Sequence, residues 1–118
     1  MQYQNDYILR LIEQMGALLR QATQRLREGD EALAHEIATT VVGEALDMEP
    51  ATVRRLSPQS LSSLVEMNNL DERVIALLAD ALDLEADAEQ ASGALVEASQ
   101  RREQARAVRH LLSAEHAN

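Results

Sequence analysis

Apolar side chains at Tyr7, Ile8, Leu11, Ile12, Met15, Leu18, Leu19, Ala22 and Leu26 advance by three, four and one. They trace a single wide stripe on a helix with a period of 3.6 residues. The pattern predicts a first helix from about Asp6 to Glu28, with Asn5 or Asp6 capping its free amides and Gly29 ending it in the left-handed conformation. Asp30 then caps a second helix that turns Leu33, Ile37, Val41, Val42, Ala45 and Leu46 inward. Glu49-Pro50 stops it, because a residue before proline avoids helical geometry.

The next segments are shorter. Pro50 opens a turn of helix through Leu56, and Ser57-Pro58 starts another, with serine as cap and proline in the first helical position. Leu61, Leu64, Val65 and Met67 form the apolar face of that helix, and Asn68-Asn69 marks its end. Asp71 caps a fifth, long helix carrying Val74, Ile75, Leu77, Leu78, Ala81, Leu82 and Leu84 up to Ser92-Gly93. A sixth runs from about Ala94 to His110 or beyond, presenting Leu95, Ala98, Ala105, Val108, Leu111 and Leu112. No run of β-branched and aromatic residues alternates at period two. The chain is expected to be an all-α, single domain over residues 1–118, of about five to six helices packed as antiparallel pairs. A hairpin over about 6–48 and another over about 71–112 flank short helices over about 50–68.

The two hairpins echo each other. An offset of 64 aligns Ala17 with Ala81, Leu18 with Leu82, Ala22 with Ala86, Gly29 with Gly93 and Ala34 with Ala98. Small residues before and after a turn glycine let antiparallel helices approach closely, and this spacing resembles the tetratricopeptide repeat. The chain departs from that pattern at Glu89 and Arg102, where the family places large aromatics, and at His110, where it places a closing proline.

The opening Tyr3-Gln4-Asn5-Asp6-Tyr7-Ile8-Leu9-Arg10-Leu11-Ile12-Glu13-Gln14 and the later Gly29-Asp30-Glu31-Ala32-Leu33-Ala34 resemble a second group. It is a bacterial family of small all-helical proteins, a domain of unknown function with repeat-like helix pairs. That resemblance implies a fold and no activity, so it assigns a role to no residue.

Composition narrows the chemistry. The 118 residues contain no Cys, which removes disulfides, thiol nucleophiles and cysteine-based metal sites. The net charge of -9 repels phosphate backbones, and no aromatic stands near the arginines for base stacking, so a nucleic-acid partner is not expected. No stretch is long and apolar enough for a membrane span, and no leader pattern opens the chain, so a cytoplasmic location is expected. With four Gly in all, phosphate-cradling loops are not expected, and no cofactor is assigned.

Three histidines, His35, His110 and His116, are the candidate metal ligands. Glu31 and His35 share a helix face, but His35-Glu36-Ile37-Ala38-Thr39 fails the zincin motif at its last position. No Glu-x-x-His unit suits a carboxylate-bridged metal pair, and neither a catalytic nor a metal residue is assigned. Ser57, Ser60, Ser62 and Ser63 lack a nucleophile elbow, and Ser57 is accounted for as a cap.

Two surfaces stand out. Tyr3, Tyr7, Leu11, Met15 and Leu18 include both aromatics of the chain and form a candidate interface, for a second copy or another protein. Asp80, Asp83 and Asp87 share a face of the fifth helix, with Glu85 and Glu89 beside them, while Arg101, Arg102, Arg106 and Arg109 concentrate on the sixth. Folding back at Gly93 brings Asp83 near Glu103 or Arg102 and Asp80 near Arg106, so that Asp80, Asp83, Arg102 and Arg106 form a candidate ion-pair surface, beside an apolar seam of Leu78, Leu82, Leu95, Ala98 and Ala105. The expectation is a non-catalytic helical interaction or scaffold domain. A small-ligand or cation site, or an enzyme, on the acidic face of the fifth helix is the alternative.

Overall fold

The computed structural model describes the backbone from Gln2 to His116 and the side chains from Asn5 to Leu112. Six helices follow one another: α1 (Gln2–Arg27), α2 (Glu31–Leu46), α3 (Pro50–Arg54), α4 (Pro58–Met67), α5 (Glu72–Ala91) and α6 (Leu95–His116). The fold is all-α and built of packed helix pairs, as the periodicity indicates. None of the described helices is long and apolar enough to cross a membrane.

Local chemistry sets most boundaries. Asp30 accepts from the Leu33 amide at 3.2 Å, Ser57 from the Ser60 amide at 3.0 Å, and Asp71 from the Arg73 amide at 2.8 Å. Each relieves one of the donors that a helix start leaves unpaired. Gly29 (φ 84°) and Gly93 (φ 90°) take the left-handed conformation at the ends of the two long hairpin arms. Around them the hydrogen bonds match at the offset of 64: Asp30 N–H to the Arg25 carbonyl corresponds to Ala94 N–H to the Glu89 carbonyl, and Gly29 to Leu26 corresponds to Gly93 to Gln90.

Two boundaries differ from expectation. α1 begins at Gln2, ahead of Asn5 and Asp6, so neither is its cap. α2 ends at Leu46, because Asp47 turns left-handed (φ 52°) and sends its N–H back to the Gly43 carbonyl before Pro50 is reached. Gly43 permits that reversal: a Cβ there would lie 3.0 Å from the Met48 carbonyl oxygen and from Pro50 Cγ.

α5 is the central helix, packed against α6, α2 and α1, while α4 covers α6 and α3 leans on α2. Met15, Val41, Leu61, Leu78, Leu82, Val74 and Val108 are fully buried in the shared core. Pairing of His35 with Glu89 and Thr39 with Glu85 shows that α2 and α5 run antiparallel. α1 and α5 are therefore parallel, and both glycine turns lie at the same end of the molecule.

Candidate functional site

The expected interface on α1 divides. Tyr3 lies outside the described side chains, and Tyr7 is 63% exposed. Leu11 and Leu18 are half-buried against the core, and Met15 is fully buried within it, so Met15 is a packing residue and not an interface anchor. The physical reason is that α2 and α5 both pack on α1, and together they consume most of its wide stripe.

On the α5–α6 face, Arg102 donates to Asp87 at 2.8 Å and lies 3.9 Å from Asp83. The expected pairing of Arg106 with Asp80 does not form. Arg109 instead binds Asp80 at 2.8 Å and Asp83 at 2.7 Å, while Arg106 lines a shallow groove with Pro58, Ser62 and His110 between α4 and α6. Helical side chains tilt toward their own N-terminus. In this antiparallel pair the aspartates therefore lean away from the Gly93 turn and the arginines toward it, which moves the contacts of Asp80 and Asp87 one turn along α6. Leu95, expected in the seam, is 64% exposed, while Leu78, Leu82, Ala98 and Ala105 are buried.

Glu85 and Glu89 do not belong to the solvated acidic face: both are buried, as are Arg101 and Gln104 on α6. Leu78, Leu82, Glu85 and Glu89 succeed one another at helical spacing, so the apolar stripe of α5 continues into two carboxylates. On α6, Arg101 and Gln104 interrupt the inward row of Ala98, Ala105 and Val108. Opposite charges on the inner stripes of neighbouring helices were the available sequence signal.

The cluster is held from four helices. Thr39 of α2 donates its hydroxyl to Glu85 Oε2 at 2.6 Å. Arg54 of α3 donates Nη1 to Glu89 Oε2 at 2.8 Å and lies 4.0 Å from Glu85 Oε2. His35 Nε2 lies 2.8 Å from the same Glu89 oxygen, where it must carry a proton to donate; the 3.4 Å approach of Arg54 Nη1 to that nitrogen is then a contact between two donors. Glu89, and not Glu31, is thus the partner of His35.

From α6, Gln104 Nε2 donates to the Val53 carbonyl at 3.0 Å and the Leu56 carbonyl at 2.9 Å, and Arg101 Nη1 donates to the Arg54 carbonyl at 3.3 Å and to Gln104 Oε1. These bonds tie a five-residue helix to the α5–α6 hairpin through carbonyls its own backbone cannot fully use. Glu89 Oε1 and Arg101 Nε, 3.8 Å apart, have no hydrogen-bond partner.

Burial pushes the Glu85 carboxyl above its ordinary range, against the Thr39 hydrogen bond and the charges of His35, Arg54 and Arg101. Burial also lowers the Arg101 guanidinium, helped by the like charge of Arg54 and opposed by Glu89, Glu85 and Glu97.

At its outer side the cluster forms the floor of a cleft of about 580 Å³ between the start of α2, α3 and the α5–α6 turn. His35 and Arg54, each 31% exposed, and Glu89 line it, with Glu31 and Glu97 among its other lining residues. Ser92, also in the lining, donates its hydroxyl to the Glu89 carbonyl. Among the described residues no group of three or more carboxylates and histidines could hold a metal ion. The arrangement can present charge and hydrogen-bonding groups to a partner from a fixed frame.

Comparison of the chain with family models, curated proteins and solved structures returns no match.

Proposed function

We propose that the protein is a non-catalytic helical interaction module that docks another protein at the start of α6, beside the α5–α6 turn. One observation carries the proposal: Leu95 and Val96, 64% and 69% exposed, stand side by side at the start of α6, where Leu95 lines a groove with Gln90, Ala98 and Arg102. Two adjacent large apolar side chains left in water make a surface that a partner would bury. The acidic face of α5, by contrast, already has its own cations in Arg102 and Arg109, which weakens the case for a cation site or enzyme there. The matched turns of the two hairpins support reading them as divergent tetratricopeptide-like units, with the short helices between them as an insertion.

The absence of cysteine makes the test direct. A photo-crosslinker attached to Val96→Cys should give one discrete adduct in the cells of origin, and the same label on Glu44→Cys, on the exposed side of α2, should not. An adduct of twice the chain mass would identify the partner as a second copy. Equal adduct patterns from both positions, or none, would end the proposal.

A further inference from the structure

The offset of 64 that relates the two hairpins sets each position of α6 against one of α2. On α2 the inward face is Ala34, Ala38, Val41, Val42, Ala45 and Leu46, all buried where α1 and α5 pack on that helix. The equivalent residues of α6 are Ala98, Arg102, Ala105, Arg106, Arg109 and His110. The two alanines are buried as in α2, but the other four positions have exchanged apolar side chains for basic ones. Arg102 and Arg109 are accounted for by Asp87 and by Asp80 and Asp83 of α5. Among the described residues neither Arg106 nor His110 has a side-chain hydrogen bond or ion pair, and both are exposed.

These two line the groove of about 620 Å³ between α4 and α6. Arg106 also lines the groove of about 260 Å³ that holds Leu95, so the two openings meet at Glu103 and Arg106 and follow α6 together. Glu103 is the one carboxylate in either lining, against the guanidinium groups of Arg102 and Arg106. Elsewhere the balance differs. Glu31, Glu89 and Glu97 line the cleft over the buried cluster, and Asp80 and Asp83 match Arg20 and Arg27 in the groove between α1 and α5. In a chain of net charge -9, the α6 groove is the one of these openings where arginines outnumber carboxylates.

We infer that the docked protein presents an acidic segment to this groove, with a carboxylate side chain on the Arg106 guanidinium and an apolar side chain on Leu95 and Val96. A guanidinium offers a carboxylate two parallel N–H donors, and Arg106 breaks no internal bond to supply them. Gln59, Ser62 and Ser63 border the same groove from α4 and add amide and hydroxyl donors. Arg106 stands eleven residues beyond Leu95, about 16 Å along the helix axis, a span that about five extended residues cover. The exchange of Val42 for Arg106 also disfavours a further apolar helix stacked as α5 stacks on α2, because it would bury this guanidinium with no acid opposite.

This inference rests on the docking surface proposed above, and its test uses an independent probe. The wild-type chain, labelled with ¹⁵N, is titrated with the blocked peptide Leu-Ala-Ser-Ala-Glu-Glu, with its counterpart ending in Lys-Lys, and with inorganic phosphate. The acidic peptide should give saturable amide shifts centred on Ser62, Leu95, Arg102 and Arg106, at lower concentration than either of the others. An exposed charge contact at the strong end of its range corresponds to about a fivefold change, so Arg106→Gln should weaken the acidic peptide about fivefold. Arg27→Gln, which removes the same charge from an exposed position on α1 outside this groove, should leave it nearly unchanged.

Shifts centred on Arg20 and Arg27, equal response to the Lys-Lys peptide or to phosphate, or equal loss in both variants would overturn the assignment. If the acidic peptide fails while the Val96 crosslink persists, the acidic occupant is wrong and the docking surface stands. If the crosslink fails while the peptide saturates at Arg106, the groove takes carboxylates and the docked protein is wrong.

Discussion

Replacing Gln104 with Met isolates what the buried amide contributes. The two side chains are similar in length and volume, so little cavity is created and the change is chiefly the loss of hydrogen bonds. Gln104 is 2% exposed. Without it the Leu56 carbonyl loses its donor at 2.9 Å, the Val53 carbonyl is left with backbone N–H groups of the α3 end, and the Arg101 guanidinium loses a side-chain acceptor. An unpaired buried neutral group costs about 1–3 kcal/mol, and one beside a charged group costs more.

Better burial of the thioether offsets part of that loss, and the expected net destabilisation is about 2–4 kcal/mol. In a domain whose total stability is of the order of 5–15 kcal/mol, this lowers the melting temperature by about 10 °C. Urea denaturation followed by circular dichroism measures the free energy, and amide exchange locates it. Protection over residues 50–57 should fall more than protection in α1. A Gln104→Met variant within about 0.5 kcal/mol of wild type would refute the claim that this amide fastens α3 to the hairpin.

Other variants probe different parts of the structure. Because Glu85 has a raised carboxyl pKa in the fold, the folded chain takes up its proton more readily than the unfolded chain; this group's contribution to stability is present at low pH and is lost as pH rises through the folded value. Glu85→Gln should therefore flatten the pH profile of urea denaturation and be no less stable than wild type at pH 8; a marked loss at pH 8 would contradict this. Gly93→Ala, at φ 90° with open space around the added methyl group, should lose about 1 kcal/mol or more through backbone strain alone, as a thermal melt would show. A double-mutant cycle on Asp83 and Arg109 should give a coupling of about 0.2–1 kcal/mol that shrinks with salt, since both side chains are partly exposed; no coupling at low salt would remove the pair as a registration aid.

How much was legible in the residues follows from the range of the interactions involved. Ser57-Pro58, Asp30, Asp71, Gly29 and Gly93 act on backbone groups within a few residues of themselves, so the turns they set follow from local chemistry. The stripes of α1 and α5 are likewise properties of single helices, and helical class and antiparallel pairing follow from them with short connections. The end of α2 was less legible, because Asp47 and Gly43 decide it through a fold-back that Pro50 alone does not announce.

What tertiary structure decided is which parts of each stripe are covered and where facing side chains meet. Met15 became core because two helices, not one, pack on α1, and Arg109 replaced Arg106 because side-chain tilt shifts contacts in an antiparallel pair. The buried cluster depends on four helices at once. Glu85 and Glu89 extend the inner stripe of α5, but nothing on that helix names their partners, and Arg54 sits on a helix of five residues with little to place it. Only when α2, α3 and α6 close around α5 do His35, Thr39, Arg54 and Arg101 meet those carboxylates and Gln104 reach the carbonyls of Val53 and Leu56, because ion pairs and hydrogen bonds act over a few ångströms between residues far apart in the chain.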